Sequence, residues 1–211
     1  MQIYLISDRR ALFAPTESFS EDQARKRLLR LGELAALMQV DYFQLREKDL
    51  SPRTCFEVAQ ELAALFHNTS TRLLVNDRVD IALAAGAQGV HLTSISLLPA
   101  HIRPWATANL TIGISTHTQE ELHRTSPGAT FAVCGPVFET PGKPRLGLEP
   151  LKQIIHTSPV PVFALGGITV DNAVEIKQTG AVGVAGIRLF AQAAFQGDTE
   201  FGDLISHLKA L

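Results

Sequence analysis

The chain has 211 residues, of which 45% are apolar, and this is enough to bury the core of one compact domain. Its 19 basic and 21 acidic residues give a formal net charge of -2, which excludes the strongly basic surface that draws proteins to nucleic acids or anionic membranes. Two cysteines are too few for a disulfide framework or a four-ligand zinc site.

The first residues of the chain lack the basic, apolar and small-residue segments of a signal peptide. No apolar run has the length needed to cross a bilayer. We therefore expect a cytoplasmic protein with no nucleic-acid partner and no membrane.

Eight short runs rich in β-branched and aromatic residues predict strands along the whole chain. They are Gln2–Ser7, Tyr42–Glu47, Arg72–Asn76, Gly89–Leu92, Thr111–Thr116, Phe131–Gly135, Val160–Gly166 and Val182–Ile187. Helical patterns lie between most of them. The apolar residues of Ser20–Leu37 recur every three or four positions, and the pair Ser51-Pro52 predicts the start of a helix that runs to about Phe66.

Strands that alternate with helices predict parallel pairing through right-handed crossovers, and a count of eight favours a barrel over a doubly wound sheet. We therefore predict an α/β protein, a single parallel (β/α)8 TIM barrel that spans residues 1–211. Active sites of such barrels lie where the strands end, so polar residues at those ends are the candidate site residues.

The second predicted strand ends with Gln44, Arg46 and Lys48 at alternate positions, which share one face of a strand. They predict a donor-rich, doubly cationic wall that could hold phosphate or diphosphate oxygens. The alternative is an ion pair in the barrel core that involves Glu47 or Asp77, because buried charges need partners.

The third and fifth strands end with further polar groups. Asn76 is the last residue of the third strand and Asp77 follows it. Asp77 is either a ligand for Mg²⁺, which prefers hard oxygen atoms, or the cap of the next helix. Ser115 and His117 share a face at the end of the fifth strand and are candidate substrate-binding residues. An ordinary polar loop residue is the alternative for His117.

A long, turn-rich loop follows the sixth strand. Glu139 and Lys143 are its ionisable candidates for acid–base catalysis or for contact with a charged ligand, and solvated loop charges are the alternative. Thr140 lies between them as a candidate substrate-binding residue.

The strongest local pattern is a pair of glycine-containing turns after the last two strands. Strand seven ends at Gly166 and Gly167, and strand eight ends with Ala185, Gly186 and Ile187. Glycines let the backbone approach an anion closely, and the amides that begin the next helix add partial positive charge. In a β/α barrel this pattern predicts a phosphate site, although tight turns also use paired glycines.

Six segments at these strand ends together carry a family resemblance. They are Tyr4–Arg9, Gln44–Lys48, Asn76–Asp80, Gly89–Leu92, Gly135–Phe138 and Leu165–Ile168. In this order, over essentially the whole chain, they resemble the thiamin phosphate synthase/TenI superfamily. The resemblance implies a barrel that binds thiazole phosphate, with its phosphate at the two glycine turns, and it is compatible with a homodimer.

One branch of that superfamily, thiamin phosphate synthase, joins a pyrimidine diphosphate to thiazole phosphate with the assistance of Mg²⁺ and releases pyrophosphate. The resemblance implies diphosphate contacts from Gln44, Arg46, Lys48 and Asn76, a metal ligand in Asp77, and substrate or product contacts from Ser115, Thr140 and Lys143. The second metal carboxylate of that branch follows the fourth strand. Here Leu92 is followed by Thr93-Ser94-Ile95-Ser96, so a hydroxyl replaces it near Ser96.

The TenI branch has thiazole phosphate tautomerase activity, with a histidine after the sixth strand in a proton-transfer role. The Thr93–Ser96 segment and the Phe138-Glu139-Thr140 step resemble that branch, but Pro136 holds the histidine position. A tautomerase would then need Glu139 or His117 to move the proton.

Three hypotheses follow from these residues. The first is a TenI-like thiazole phosphate protein with tautomerase activity and no cofactor. The second is a thiamin phosphate synthase that uses Mg²⁺, and the third is a non-catalytic thiazole phosphate binder or regulator. The candidate catalytic residues are Arg46, Lys48, Glu139 and Lys143.

Overall fold

The computed structural model describes residues 1–211 and shows a closed barrel of eight parallel strands that pair in chain order. The strands are β1 Gln2–Ile6, β2 Tyr42–Leu45, β3 Arg72–Asn76, β4 Gly89–Leu92, β5 Thr111–Thr116, β6 Phe131–Cys134, β7 Val162–Leu165 and β8 Gly183–Gly186. The predicted (β/α)8 barrel is confirmed. All eight carboxyl-terminal strand ends therefore meet at one rim of the barrel.

Helices cover the outside of the barrel. They are α1 Glu21–Leu37, α2 Pro52–Phe66, α3 Val79–Ala84, α4 Pro99–Ile102, α5 Gln119–Thr125, α6 Leu148–Thr157, α7 Ala173–Gln178, α8 Arg188–Gln196 and α9 Asp198–Ala210, with a short 3-10 helix at Arg9–Leu12. The predicted start of α2 is confirmed, because the Ser51 hydroxyl accepts a hydrogen bond from the Thr54 amide at 3.1 Å. None of the helices is both long and apolar enough to span a membrane.

Five strands are one to three residues shorter than their sequence patterns predict, and β2 is the case that matters for the site. It ends at Leu45 because the next amide, that of Arg46, donates to the Ser7 hydroxyl at 2.9 Å instead of continuing the sheet. Arg46 and Lys48 therefore lie in the turn after β2 and not on one face of the strand. The strand alternation that grouped them with Gln44 does not extend to them.

The apolar core has two layers. The larger layer fills the space between the strands and the surrounding helices. The smaller layer fills the inside of the barrel, where Tyr4, Phe131 and Phe163 pack edge to face with ring centroids 5.2 to 5.8 Å apart. The interior is therefore a packed plug of side chains, and ligands have access only at its ends.

The first and last strands close the barrel through Gly183. This residue is opposite Gln2, and a Cβ atom at position 183 would overlap the Gln2 carbonyl oxygen and lie 2.8 Å from the Phe163 ring. Backbone and a buried aromatic ring cannot move aside cheaply in a close-packed interior. The closure of the barrel thus depends on a residue without a side chain at this position.

We expect Gly183→Ala to lower the free energy of unfolding by about 1 to 3 kcal/mol, the usual cost of forcing extra atoms into a packed core. Gly202→Ala in α9 is the matched control, because its Cβ would meet only Met38 atoms at 3.7 and 3.8 Å. Helix propensity should make that variant more stable by roughly 0.5 to 1 kcal/mol. Urea unfolding followed by circular dichroism measures both changes, and equal effects of the two substitutions would contradict this account of the closure.

Candidate active site

Polar residues at the carboxyl-terminal rim line two cavities. The larger one, which we call the glycine cavity, has a volume of about 520 Å³. Its lining includes His117, Pro136, Glu139, Thr140, Lys143, Gly166, Gly167, Ala185, Gly186 and Ile187. The other, which we call the Asp77 cavity, has a volume of about 320 Å³ and is lined by Lys48, Asn76 and Asp77 together with Thr93 and Ile95. Gln44, Arg46 and Ser115 line neither cavity.

The glycine turn after β7 is fixed by the loop that packs on it. Gly166 and Gly167 have φ angles of 99° and 67°, a region that favours glycine. A Cβ atom on Gly167 would lie 2.6 Å from the Glu139 carbonyl oxygen and 2.7 Å from Phe138 Cβ. The Phe138 amide also donates to the Gly166 carbonyl at 3.0 Å. The loop after β6 is thereby held over the turn, and it carries Glu139, Thr140 and Lys143 to the cavity wall.

His117 lies beside the proline that replaces the TenI-type histidine. Its Nδ1 is hydrogen-bonded to the carbonyl oxygen of Gly135, the residue before Pro136. Its backbone amide donates to a Glu121 carboxylate oxygen at 2.7 Å. The imidazole of the residue that follows β5 is therefore brought next to Pro136, the position after β6 where the resemblance to the TenI branch implies a histidine.

The buried ion pair at the end of β2 involves Glu47, but its partner is Arg9. The Arg9 guanidinium lies 3.1 Å from the Glu47 carboxylate, and both side chains are almost completely buried. The Ser7 hydroxyl donates to the same carboxylate at 2.6 Å. Arg46 and Lys48 have no carboxylate within 4.0 Å. Their charges are therefore available to a ligand, and the alternative of a core ion pair applies to Glu47 and not to them.

Asp77 does not cap a helix. Helix α3 follows Arg78, and no side chain caps its first turn. Asp77 has a φ angle of 63°, unusual for a residue with a side chain, and its carboxylate accepts a hydrogen bond from the Ser96 hydroxyl. The Ser96 hydroxyl in turn accepts from the Thr93 amide at 2.8 Å. The Thr93–Ser96 segment, where the resemblance implies a second metal carboxylate, is thus hydrogen-bonded to the Asp77 carboxylate.

Gln44 and Ser115 lie at opposite ends of a hydrogen-bonded chain through the barrel interior. The Gln44 side-chain nitrogen bonds to the Tyr4 hydroxyl, which is 3.0 Å from His91 Nδ1, and His91 Nε2 is 2.8 Å from the Ser115 hydroxyl. Tyr4, Gln44 and His91 are at most 2% exposed, whereas Ser115 is half-buried. The chain runs from the packed interior to the rim.

Burial keeps Tyr4 and His91, the two ionisable groups of this hydrogen-bonded chain, in their neutral forms. It lowers the pKa of the His91 imidazole to about 3, and the nearby charge of Arg46 acts in the same direction. Burial also raises the pKa of the Tyr4 hydroxyl far above its ordinary value. Both groups are therefore neutral near pH 7, as groups inside a closed barrel must be without a charged partner.

The sequence interpretation did not select several residues that the structure places at these positions. Thr169, Arg188 and Gln192 line the glycine cavity, and Tyr4 and His91 complete the interior chain. Tyr4 and His91 could have been selected from the sequence, because a polar side chain in the middle of an apolar strand needs a hydrogen-bond partner inside a filled barrel. Arg188 could have been selected because it is a cation directly after the glycine turn of β8.

Comparison with known families and proteins identifies what this arrangement is similar to. A family model described as thiamine monophosphate synthase matches residues 16–190. A thiamine-phosphate synthase of Roseiflexus sp. (strain RS-1) is 35% identical over 188 residues, which cover 87% of this chain and 75% of the relative. A thiamine-phosphate synthase of Archaeoglobus fulgidus is 36% identical over 167 residues, 77% of this chain and 79% of the relative.

One solved structure has a similar fold over almost the whole chain. The thiamine phosphate pyrophosphorylase from Pyrococcus furiosus superposes with a TM-score of 0.80 at 30% sequence identity, over 98% of this chain and 96% of that one. The similarity extends over the strand ends that form both cavities.

The buried His91 predicts a pH dependence of stability. In the unfolded chain a histidine binds a proton below about pH 6.5, whereas folded His91 stays neutral down to about pH 3. Between these values the unfolded state binds one more proton, so lowering the pH should reduce the free energy of unfolding by ~1.4 kcal/mol per pH unit from this group. His91→Gln removes the titration, and urea unfolding from pH 7 to pH 4 should give a shallower slope for it. Parallel curves for the two proteins would mean that folded His91 takes up a proton in this range.

Proposed function

Because the chain belongs to the thiamine monophosphate synthase family, we propose that it joins a pyrimidine diphosphate to thiazole phosphate and releases pyrophosphate. The observation that carries this proposal is the pair of cavities at one rim, one built from glycine turns and the other lined by the unpaired cation of Lys48 and the carboxylate of Asp77. A condensation of two phosphorylated substrates needs two such anion sites. The relatives named thiamine-phosphate synthase support this second hypothesis from the sequence over the TenI-like one.

The glycine cavity is assigned to thiazole phosphate. The turns at Gly166–Gly167 and Gly186 bring backbone amides to the cavity that can donate to an oxyanion, and Lys143 lines the same cavity and adds a full positive charge. Lys143 has no carboxylate within 4.0 Å. A monophosphate bound here would meet donors and a cation without having to displace an existing ion pair.

The Asp77 cavity and the neighbouring strand ends of β2 and β5, which carry Arg46 and Ser115, are assigned to the diphosphate. Lys48 and Asn76 supply donors from the cavity wall, and Arg46 lies one residue beyond the end of β2 with its charge unpaired. Charge develops on the diphosphate as it departs, and fixed cations stabilise that charge more in the reacting state than in the bound substrate. We therefore assign Arg46 and Lys48 to stabilisation of the leaving group.

The residues present fit one Mg²⁺ ion that shares its coordination with a substrate. Asp77 offers a carboxylate, and the Ser96 and Thr93 hydroxyls lie 3.0 Å from each other beside it. The chain has no cluster of three or more His, Cys, Asp or Glu side chains that could form a closed metal site. Mg²⁺ commonly binds through one or two carboxylates, water and substrate phosphates. When bound, the ion would neutralise charge on the diphosphate.

A second candidate function rests on His117. The position of its imidazole beside Pro136, on the same cavity as Glu139, gives the glycine cavity two ionisable groups that could move a proton on thiazole phosphate. This geometry would serve a TenI-like tautomerase that lacks the usual histidine. Synthase and tautomerase are distinguished by their products.

We expect the purified protein to form thiamin phosphate from the pyrimidine diphosphate, thiazole phosphate and Mg²⁺. Asp77→Asn keeps the acceptor for Ser96 but removes the charge, so it should slow the reaction at least about tenfold. Asp22→Asn is the matched control, since Asp22 is exposed, paired with Lys26 and outside both cavities, and it should leave the rate unchanged. Product analysis by liquid chromatography gives the rates.

Two other results would replace the proposal. Accelerated tautomer exchange of thiazole phosphate, with no thiamin phosphate formed, would establish the tautomerase. Binding of thiazole phosphate with neither reaction would establish the non-catalytic binder.

A charge at the start of α8 tests the phosphate site separately from the chemistry. Ile187 is the N-cap residue of α8 and lines the glycine cavity. Ile187→Asp and Ile187→Asn lose the same packing and differ mainly in charge. We expect Ile187→Asp to bind thiazole phosphate at least about tenfold more weakly than Ile187→Asn in calorimetry, because like charges a few ångströms apart repel by kcal/mol amounts at a protein surface. Equal affinities would place the phosphate elsewhere.

A further inference from the structure

The hydrogen-bonded chain through the barrel interior has a direction that follows from its first member. The structure places the side-chain nitrogen of Gln44 against the Tyr4 hydroxyl, and in this amide orientation Gln44 donates. The Tyr4 hydroxyl then keeps its own proton for His91 Nδ1. A neutral imidazole that accepts at Nδ1 carries its proton on Nε2. That proton is donated to the Ser115 oxygen across 2.8 Å. The Ser115 hydroxyl proton is then not used inside the barrel.

The strand opposite His91 is built around its ring. Gly113 of β5 is the register partner of His91, and a Cβ atom there would lie 2.7 Å from His91 Nδ1 and 2.7 Å from the Phe131 ring. The absence of a side chain at Gly113 therefore leaves the space in which Nδ1 meets Tyr4. The orientation of the imidazole is set by packing as well as by its hydrogen bonds.

The rim end of the hydrogen-bonded chain is Ser115. Its side chain is half-buried and has no hydrogen bond other than the one with His91. A hydroxyl proton that no group of the protein accepts can be donated to an anionic oxygen atom of a ligand at the rim.

We infer that His91 is a positioning residue: together with Gln44 and Tyr4 it fixes the Ser115 hydroxyl as a hydrogen-bond donor toward an oxygen of the bound diphosphate. The identity of that ligand rests on the proposed function, whereas the direction of the chain does not. This assigns Gln44 an action through Tyr4 and His91 from inside the barrel, in place of the direct diphosphate contact that the family resemblance implies.

The direction of the chain is tested by nitrogen-15 NMR of the His91 ring, which distinguishes the two neutral tautomers. We expect the Nε2-protonated form in the wild type at pH 7. An Nδ1-protonated ring would overturn the inference, because Ser115 would then donate its proton inward to Nε2. This measurement needs neither substrate nor turnover.

The consequence for the ligand is tested with Tyr4→Phe, which removes one hydroxyl from the chain and keeps the ring. Tyr42→Phe is the matched control, because Tyr42 packs in the same aromatic group and its hydroxyl has no hydrogen-bond partner in the protein. Calorimetry with inorganic pyrophosphate as the probe should show about tenfold weaker binding for Tyr4→Phe, the effect of one hydrogen bond to a charged group. Binding of thiazole phosphate should change less than twofold, and Tyr42→Phe should leave both affinities unchanged.

His91→Gln and His91→Leu complete the test. Glutamine offers an acceptor for Tyr4 and a donor for Ser115, whereas leucine offers neither, so pyrophosphate affinity should be retained better by the former. Equal losses in these two variants, or a Tyr4→Phe protein with unchanged pyrophosphate affinity, would overturn the inference. Wild-type protein that forms no thiamin phosphate but shows the expected tautomer and pyrophosphate effects would remove the proposed reaction and leave the positioning role intact.

Discussion

The buried ion pair between Arg9 and Glu47 explains why Arg46 and Lys48, at the end of β2, have no carboxylate partner. Glu47 lies between Arg46 and Lys48 in sequence, and a buried carboxylate needs a partner. Arg9 provides it from the turn after β1, with Ser7 as a second donor. Because Glu47 is satisfied from that side, its two cationic neighbours keep their charges free. Two cations without a carboxylate partner at the rim thus follow from a buried pair whose carboxylate lines the same cavity but is already satisfied by Arg9 and Ser7.

The glycine cavity depends on a steric constraint and not on a charge. The turn after β7 can accept the loop after β6 only because Gly166 and Gly167 have no side chains, and the hydrogen bond from the Phe138 amide holds loop and turn together. Loops at active sites are often mobile parts of a protein. Here the loop that brings Lys143 to the cavity is anchored to the same backbone whose amides would bind the phosphate in the proposed function, so one constraint positions both kinds of donor.

The sequence predicts the parts of this molecule that depend on local pattern. The alternation of strands and helices predicted the barrel, and the glycines at two neighbouring strand ends predicted a cavity. Both patterns can be recognised because the residues that form them are close together in the sequence. The partners of Glu47 and His91 could not be read in this way. Arg9 is 38 residues from Glu47 and Tyr4 is 87 from His91, so these contacts exist only after the barrel closes. The premature end of β2 has the same origin, since Ser7 of a neighbouring segment takes the Arg46 amide.

The contact between Ser96 and Asp77 changes how charge would be balanced in the proposed reaction. The Ser96 hydroxyl donates to the Asp77 carboxylate and brings no negative charge of its own. The other carboxylate that lines this cavity, that of Glu47, is already paired with Arg9. A Mg²⁺ ion at such a place would take most of its ligands from water and the diphosphate, so the affinities for ion and diphosphate must strengthen each other by the same factor. Arg46 and Lys48 are present whether or not an ion is bound. Arg46 and Lys48 therefore supply positive charge at all times, whereas the charge of Mg²⁺ would be added only together with the diphosphate.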